Sequence, residues 1–279
     1  MPLAVLPLVL LAAVCHAAWN ALLKDSGNPL LLSARALAWG AALSAPLVAV
    51  AWLLHGLPGL PLGAWVLAAV SALVEVVYFV FLSQAYRRGE LSVVYPLARG
   101  TAPVLAVLVG VVLLGERLQP LAGIGLLLVL AGIWSVRRPS ASHGVLLPAL
   151  ATGVAIAVYT SLDRVGVRIA APWLYGWVLW FLAALLANGL AAFLHLSERG
   201  DGPGRRVSAL VGALMTGAYF MVLVALSIAP LALVAPVRES AIVLVTAWGI
   251  WRLGEREGAL IRLSGALAIV IGIAILAFA

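Results

Sequence analysis

Long apolar stretches separated by short polar segments follow one another along the whole of this 279-residue chain. Ten of them reach or approach the length that an α-helix needs to cross ~30 Å of hydrocarbon. The pattern predicts an all-α integral membrane protein with ten transmembrane helices. The predicted segments are Leu3–Leu23, Leu30–Leu54, Gly63–Tyr86, Leu91–Leu114, Leu121–Val136, Gly144–Leu162, Pro172–Leu196, Val207–Ile228, Leu231–Trp251 and Leu263–Ala279.

The second half of this pattern repeats the first about 140 residues later. The clearest markers are Pro96/Pro236, Gly125/Gly265, Gly132/Gly272 and, one step out of phase, Gly-Glu-Arg at 115–117 and 254–256. The chain therefore divides into two five-helix repeats, 1–139 and 140–279. Because five is odd, the second repeat enters the membrane upside down, which predicts an inverted repeat. Such repeats point to a carrier with its site between the halves.

Composition agrees with a membrane protein and narrows its partners. Apolar residues make up 65% of the chain and charged residues 10%, with mean hydropathy +1.17. The sequence pI of about 10.3 does not indicate nucleic acid, because the basic residues are scattered in short loops that meet lipid headgroups. Cys15 is the single cysteine, so no intrachain disulfide is expected.

The loop charges predict an orientation. Loops that carry Lys and Arg are retained in the cytoplasm. Only three basic loop residues, Arg117, Arg164 and Arg168, fall on one side of the membrane, and the others fall on the opposite side. That count places both termini outside. The first segment lacks a basic start and runs on past the usual length, so it is not expected to be a removable signal peptide. We expect a multi-pass protein of the bacterial inner membrane that functions as a monomer.

Five charged residues fall inside predicted segments: Arg35, Glu75, Arg99, Arg238 and Glu239. A charge that faces lipid costs several kcal/mol, so each is expected to face the bundle interior or a wet cavity. The alternative role is internal ion pairing that holds helices together. For Arg35, near a segment end, snorkelling to the interface is a further alternative.

A proline is followed by an arginine in both the fourth and the ninth segment. Pro96 and Arg99 lie in Tyr95-Pro-Leu-Ala-Arg-Gly-Thr-Ala-Pro103, where two prolines and a glycine predict an interrupted helix at mid-membrane. The counterpart carries Pro236 and Arg238. An inverted repeat would bring these arginines together and favour a ligand with a carboxylate or other anionic group. The alternative is that Glu75 neutralises one arginine and Glu239 the other.

Two groups at membrane depth are candidate proton carriers. Glu75 is the first, with Tyr78 on the same helical face, and a permanent salt bridge to an arginine is its alternative role. His16 is the second, with Asn20 one turn further along the same face and Trp19 beside them. The residues predicted to bind substrate are His16, Trp19, Asn20, Trp39, Glu75, Tyr78, Tyr95, Arg99, Tyr159, Trp177, Tyr219 and Arg238.

Several of these sequences resemble the EamA-type carriers of the drug/metabolite transporter superfamily. They are His16-Ala-Ala-Trp-Asn20, Ala85-Tyr-Arg-Arg-Gly-Glu-Leu-Ser-Val-Val-Tyr-Pro-Leu-Ala-Arg-Gly100, the two Gly-Glu-Arg sequences and Tyr159-Thr-x-x-Asp-x-x-Gly-Val-Arg168. The resemblance covers both halves. It implies two inverted five-helix repeats around a central cavity, and export or exchange of amino acids and other small metabolites without ATP. It also implies cytoplasmic termini, opposite to the charge count.

Other function classes lack their motifs. An intramembrane enzyme acting on a lipid-linked substrate is the main alternative, but the sequence shows no His/Cys/Asp cluster with metal-ligand spacing and no Gly-rich phosphate loop. No filter-like motif indicates a channel, and no nucleotide motif indicates a pump. We therefore expect a carrier, not an enzyme, without cofactor or metal. Its partners would be a small-molecule substrate and membrane lipids. Protons are the expected coupling ion, with sodium as the alternative.

Overall fold

A computed structural model describes residues 5–89, 91–136, 143–196, 202–244, 247 and 259–278, and this part of the chain contains helices and no strand. The helices are α1 (Val5–Lys24), α2 (Pro29–Leu54), α3 (Leu62–Arg88), α4 (Leu91–Leu108), α5 (Pro120–Val136), α6 (His143–Ile169), α7 (Pro172–Phe193), α8 (Arg205–Ile228), α9 (Leu231–Arg238) and α10 (Ala259–Phe278). A π-helical turn, Val109–Leu113, continues α4. Residues 241–244, beyond α9, are helical again.

Six of the described helices are long and apolar enough to cross a membrane: α1, α2, α3, α6, α7 and α8. Ala98–Leu113, Pro120–Ser135 and Leu263–Leu276 are shorter apolar helices. The chain is therefore an all-helical membrane protein. Ten crossings remain a prediction, and the boundary predicted at residues 139 and 140 lies outside the described residues.

Helix boundaries follow the turn-forming residues of the sequence. Asn28 caps α2, since its side-chain oxygen accepts a hydrogen bond from the backbone N–H of Leu31 at 3.2 Å, and Pro29 occupies the first turn. Pro172 likewise starts α7, and α3 stops at Gly89. These boundaries lie within a few residues of the predicted ones because local chemistry sets them.

The sixth helix is longer than predicted. The sequence indicated an end at Leu162, where polar residues begin, but α6 continues to Ile169. Asp163 and Arg164 are therefore buried helical residues, at 1% and 7% exposure, and not loop residues. Both have polar partners elsewhere in the fold, Asp163 on α3 and Arg164 on α8 and in the loop after α4, so burial does not leave them unsatisfied.

The interruption predicted in the fourth segment is wrong. α4 runs without a break through Pro96 and Pro103, because a proline in a packed membrane helix removes backbone donors without ending the helix. The break lies instead in the ninth segment, predicted as Leu231–Trp251. α9 stops at Arg238, and a turn at Glu239–Ser240 precedes the next helical residues.

The helices pack around interior faces drawn from both halves. α3 packs on α6 and α7, α8 packs on α1 and α2, and α4 packs on α6 and α9. α5 and α10 form a close pair in which a Cβ on Gly132 would lie 2.5 Å from the Gly265 carbonyl oxygen. Glycines thus permit the close approach of these two helices, whereas Gly123 faces open space.

Candidate functional site

The intramembrane charges of α3, α4 and α9 lie inside the protein. Glu75, Arg99, Arg238 and Glu239 are each at most 3% exposed, as the cost of a lipid-facing charge predicts. Arg35 is separate from them, because its Nη1 donates to the Pro203 carbonyl at 2.8 Å and ties α2 to the segment before α8.

Both buried arginines contact the same carboxylate. Arg99 Nη1 lies 3.4 Å from each carboxylate oxygen of Glu239, and Arg238 Nε lies 3.1 Å from Oε1. Arg238 also donates from Nη1 to Thr160 Oγ1 on α6 at 3.4 Å. Among the described residues, Glu75 forms no ion pair with either arginine. The alternative in which Glu75 neutralises one of them is therefore not observed. The two guanidinium groups thus share a single bonded carboxylate in the described part of the chain.

Arg99 also lies over an aromatic ring. Its guanidinium carbon is 5.3 Å from the centre of the Tyr95 ring, within the range of a cation–π contact. The Tyr95 hydroxyl is buried and has no hydrogen-bond partner among the described residues. The Tyr95 hydroxyl is thus an unpartnered polar group beside the arginine.

Glu75 lies on the face of α3 that packs against α6. Two contacts bracket it: Ser71 bonds Asp163, and Tyr78 stacks edge-on against Tyr159. Its Oε2 is buried without a hydrogen-bond partner in the described part of the chain. It lies within electrostatic reach of Asp163 and Arg238. Glu75 is thus a carboxylate that can accept a proton or a donor from a ligand without breaking an existing bond to that oxygen.

Asp163 is a buried carboxylate that the sequence analysis did not select. Hydroxyl groups from three helices donate to it: Ser71 Oγ at 2.6 Å, Tyr175 OH at 3.0 Å and Tyr219 OH at 2.5 Å. These donors belong to α3, α7 and α8, so Asp163 joins them to α6. Its four-residue spacing from Tyr159 places both on one helical face and was the signal available in the sequence.

An aromatic row runs past these carboxylates. Ring centres are 5.9 Å apart between Tyr78 and Tyr159, 6.3 Å between Tyr159 and Tyr219, and 4.5 Å between Tyr219 and Trp180. The row connects α3, α6, α8 and α7. Trp180 was not among the predicted site residues.

His16 presents a ring N–H to the interior. Its Nδ1 accepts a hydrogen bond from Trp19 Nε1 at 3.0 Å, which assigns the ring hydrogen of neutral His16 to Nε2. Nε2 is buried and unpartnered among the described residues. The ring also lies within electrostatic reach of Arg99 and Arg238.

Asn20 connects helices. Its Nδ2 donates to the His16 carbonyl at 2.8 Å and its Oδ1 accepts from Tyr86 OH at 2.7 Å. The Oδ1 bond joins α1 to α3, whereas the Nδ2 bond lies within α1, so both polar ends of the amide have partners. A role in substrate binding remains a prediction for this residue.

Two of the predicted site residues lie away from the charged cluster. Trp39 is 37% exposed on α2. Trp177 lines an apolar cleft of about 620 Å³ between α2 and α7, where its Nε1 donates to the Ala41 carbonyl at 3.1 Å. The structure instead groups His16, Trp19, Glu75, Tyr78, Tyr95, Arg99, Tyr159, Tyr219 and Arg238 through shared hydrogen bonds, ring contacts and electrostatic interactions.

Three of the grouped residues carry buried polar atoms without a hydrogen-bond partner among the described residues. Most buried polar atoms in folded proteins have partners, so His16 Nε2, Glu75 Oε2 and Tyr95 OH are unusual in lacking them. They offer a donor, an acceptor and a hydroxyl on α1, α3 and α4. In the described ranges, no group of three or more His, Cys, Asp or Glu side chains is placed to hold a metal ion.

Residues 3–138 match the model of the EamA-like transporter family. The chain belongs to this family, which is part of the drug/metabolite transporter superfamily. The match spans the first predicted repeat and confirms the resemblance seen in the sequence. This EamA-family protein is thus a membrane transporter by family.

Solved structures share the fold. A crystal structure described only as that of a protein superposes with a TM-score of 0.72 at 21% sequence identity, covering 99% of this chain and 96% of the other. At that identity the likeness shows the fold alone. No curated protein matches the sequence.

Proposed function

We propose that this EamA-family protein is a secondary transporter that moves a small polar metabolite with at least one negative group, such as an amino acid or organic anion. The metabolite would bind in a central cavity between the halves and cross the bacterial inner membrane by alternating access, as an exporter or exchanger. The observation that carries the proposal is the pair of buried arginines that share Glu239.

The charge balance at Glu239 favours a ligand with an anionic group. Arg99 and Arg238 are 3% and 2% exposed, so neither gains much from water. A buried charge without a partner is costly, and Glu239 is the one carboxylate among the described residues that is bonded to these two arginines. Glu75 and Asp163 lie within electrostatic reach of Arg238 but form no ion pair with it in the described part of the chain. A substrate carboxylate would supply a second bonded partner, and a guanidinium can hold it with two parallel hydrogen bonds.

The pattern of helix contacts supports an inverted repeat. Exchange of the halves pairs α1 with α6, α2 with α7, α3 with α8, α4 with α9 and α5 with α10. Under this exchange the α3–α6 contact becomes α8–α1, α4–α6 becomes α9–α1, and α3–α7 becomes α8–α2, all of which occur. Arg99 and Glu239, 140 positions apart, are equivalent residues that meet each other. Their contact marks the proposed two-fold axis.

Proton coupling is part of the proposal, with Glu75 as the main carrier and His16 as the second. Glu75 presents a buried carboxylate oxygen that has no hydrogen-bond partner in the part of the chain described. His16 would take up a proton on Nδ1, so the hydrogen bond that Trp19 Nε1 donates to this nitrogen would have to break first. Sodium is the competing ion, and it would need several oxygen ligands. Turn residues beyond α9 could supply backbone carbonyls for it.

Counterflow in proteoliposomes tests the proposal. The purified protein is screened against amino acids, organic acids, nucleobases and phosphonates, and we expect exchange of a compound with a negative group. Arg99→Ala and Arg99→Lys should both abolish it, because lysine keeps the charge but loses the planar fork. Arg35→Lys is the matched control and should exchange normally, since Arg35 lies outside the cluster.

Two outcomes contradict the proposal. Exchange that persists in both Arg99 variants at normal protein levels removes Arg99 from the site. Exchange of cationic compounds alone contradicts the predicted substrate class.

A further inference from the structure

A glutamate of the first half caps a helix of the second half. Glu116 Oε1 accepts from the backbone N–H of Leu231 at 2.8 Å, and Oε2 accepts from that of Ala232 at 2.9 Å. These are the first two residues of α9. A carboxylate at this position satisfies free helix donors and interacts favourably with the helix dipole.

The same carboxylate holds an arginine. Arg164 Nε lies 3.2 Å from Glu116 Oε1, and Arg164 Nη1 donates to the Leu226 carbonyl near the end of α8. The Glu116 and Arg164 side chains are 7% and 9% exposed. We call the Glu116 side chain, the Arg164 side chain and the backbone of Leu231 and Ala232 the Glu116 clamp. It joins the loop after α4 to α6, α8 and α9.

The loop is shaped for this contact. Gly115 has φ +66°, a conformation that favours glycine, and it leads directly into Glu116. The backbone N–H of Glu116 donates to the Gly110 carbonyl in the π-helical turn at 2.9 Å. A Cβ on Gly110 would lie 2.5 Å from Glu116 Oε2, so only glycine leaves room for the carboxylate.

The opposite half shows a related bond. Lys24 Nζ donates to the Tyr86 carbonyl, 62 positions away, as Arg164 donates to the Leu226 carbonyl 62 positions away. A basic side chain at or near the end of the first helix of each half thus bonds a carbonyl near the end of the third. In an inverted repeat these two bonds lie at opposite ends of the bundle.

We propose that the Glu116 clamp closes one end of the central cavity and opens when the cavity faces that side. This inference rests on the proposed function, because alternating access requires the halves to separate at one end at a time. All its bonds are polar and near the end of the bundle, so water can replace them. The α5–α10 contact is formed by close packing at glycines, which water cannot replace, so we expect this contact to stay closed.

The test measures distances across the clamp. Cys15→Ser protein in lipid nanodiscs carries spin labels at Arg117→Cys and Ile228→Cys, two exposed positions on opposite sides of the clamp. We expect two distance populations. Glu116→Ala should shift their ratio toward the longer distance by about tenfold, which is the effect of losing one charged helix cap. Glu116→Gln should shift it less.

Gly110→Ala is the second variant, because it displaces the carboxylate while keeping every charged group. It should shift the same ratio in the same direction, whereas the exposed loop variant Gln119→Ala should not. A distance distribution that stays unchanged in both Glu116→Ala and Gly110→Ala overturns the proposal and makes the clamp a static cap. A shifted distribution in protein that transports no tested solute supports the clamp and counts against the proposed function.

Discussion

The fourth and ninth segments, which the proposed repeat would make equivalent, differ in structure. α4 continues for 18 residues through two prolines, whereas α9 ends after 8 residues and is followed by a turn. Proline content therefore does not decide which segment breaks. The break follows Arg238 and coincides with Glu239, the residue that two arginines contact.

The same comparison shows where the two halves diverge chemically. Under the proposed repeat, positions 99 and 239 would be equivalent, and identical charges there would repel each other. Position 99 is Arg and position 239 is Glu, so these two residues attract. The proposed repeat would then hold a site whose chemistry is not repeated.

Loss of Glu239 is expected to have the largest effect. Glu239→Gln would leave Arg99 and Arg238 buried without a counter-ion and cost roughly 3–5 kcal/mol, seen as loss of folded protein or a large drop in thermal unfolding temperature. The exchanged pair Arg99→Glu with Glu239→Arg should recover part of this stability. A loss in Glu239→Gln no greater than in Arg35→Gln would contradict the pairing.

Substitution of Glu75 tests whether the two halves differ in function. The position 140 residues later is Met215, so a proton carrier at Glu75 would belong to one half alone. Glu75→Gln keeps the size of the side chain but cannot carry a proton, and it should abolish accumulation driven by a pH gradient while counterflow persists. Asp25→Asn, in an exposed turn, is the control. Driven accumulation that survives in Glu75→Gln would make Glu75 a structural residue.

Asp163 tests the asymmetry in stability, since its counterpart 140 residues earlier is Leu23. Asp163→Asn keeps the shape but weakens three hydrogen bonds from hydroxyl groups, and should cost about 1–3 kcal/mol in a thermal unfolding assay. Tyr219→Phe and Tyr175→Phe should each cost about 1 kcal/mol. Equal stability of Asp163→Asn and the native protein would show that the hydroxyl groups contribute nothing through this carboxylate.

The proline positions are expected to give the smallest effect. If pairing at Glu239 sets the break, Pro236→Ala leaves the turn in place, and Pro103→Ala changes stability by less than about 1 kcal/mol. Hydrogen exchange of residues 236–244 measures the first. Slow exchange across Glu239 and Ser240 in Pro236→Ala would show that the proline, and not the ion pair, ends α9.

Features that depend on neighbouring residues were predictable from the sequence. The membrane helices follow from runs of apolar residues, and Asn28 and Pro172 mark helix starts through their own backbone chemistry. Glu75, Arg99 and Arg238 could be selected as site residues because a charged side chain in an apolar segment is costly when it faces lipid and is therefore expected to face the protein interior. The family followed from short local motifs, and the match to residues 3–138 confirmed it.

Features that depend on distant residues were decided by the tertiary structure. The predicted sixth segment ends at Leu162 and leaves out Asp163, because the three hydroxyl partners that make its burial possible lie on other helices. Glu239, and not Glu75, contacts both arginines because the α4–α9 contact brings residues 140 positions apart together. The sequence alone determined which segments enter the membrane, since that depends on local hydrophobicity. Only the tertiary structure decided which buried charges meet, since that depends on how the helices pack.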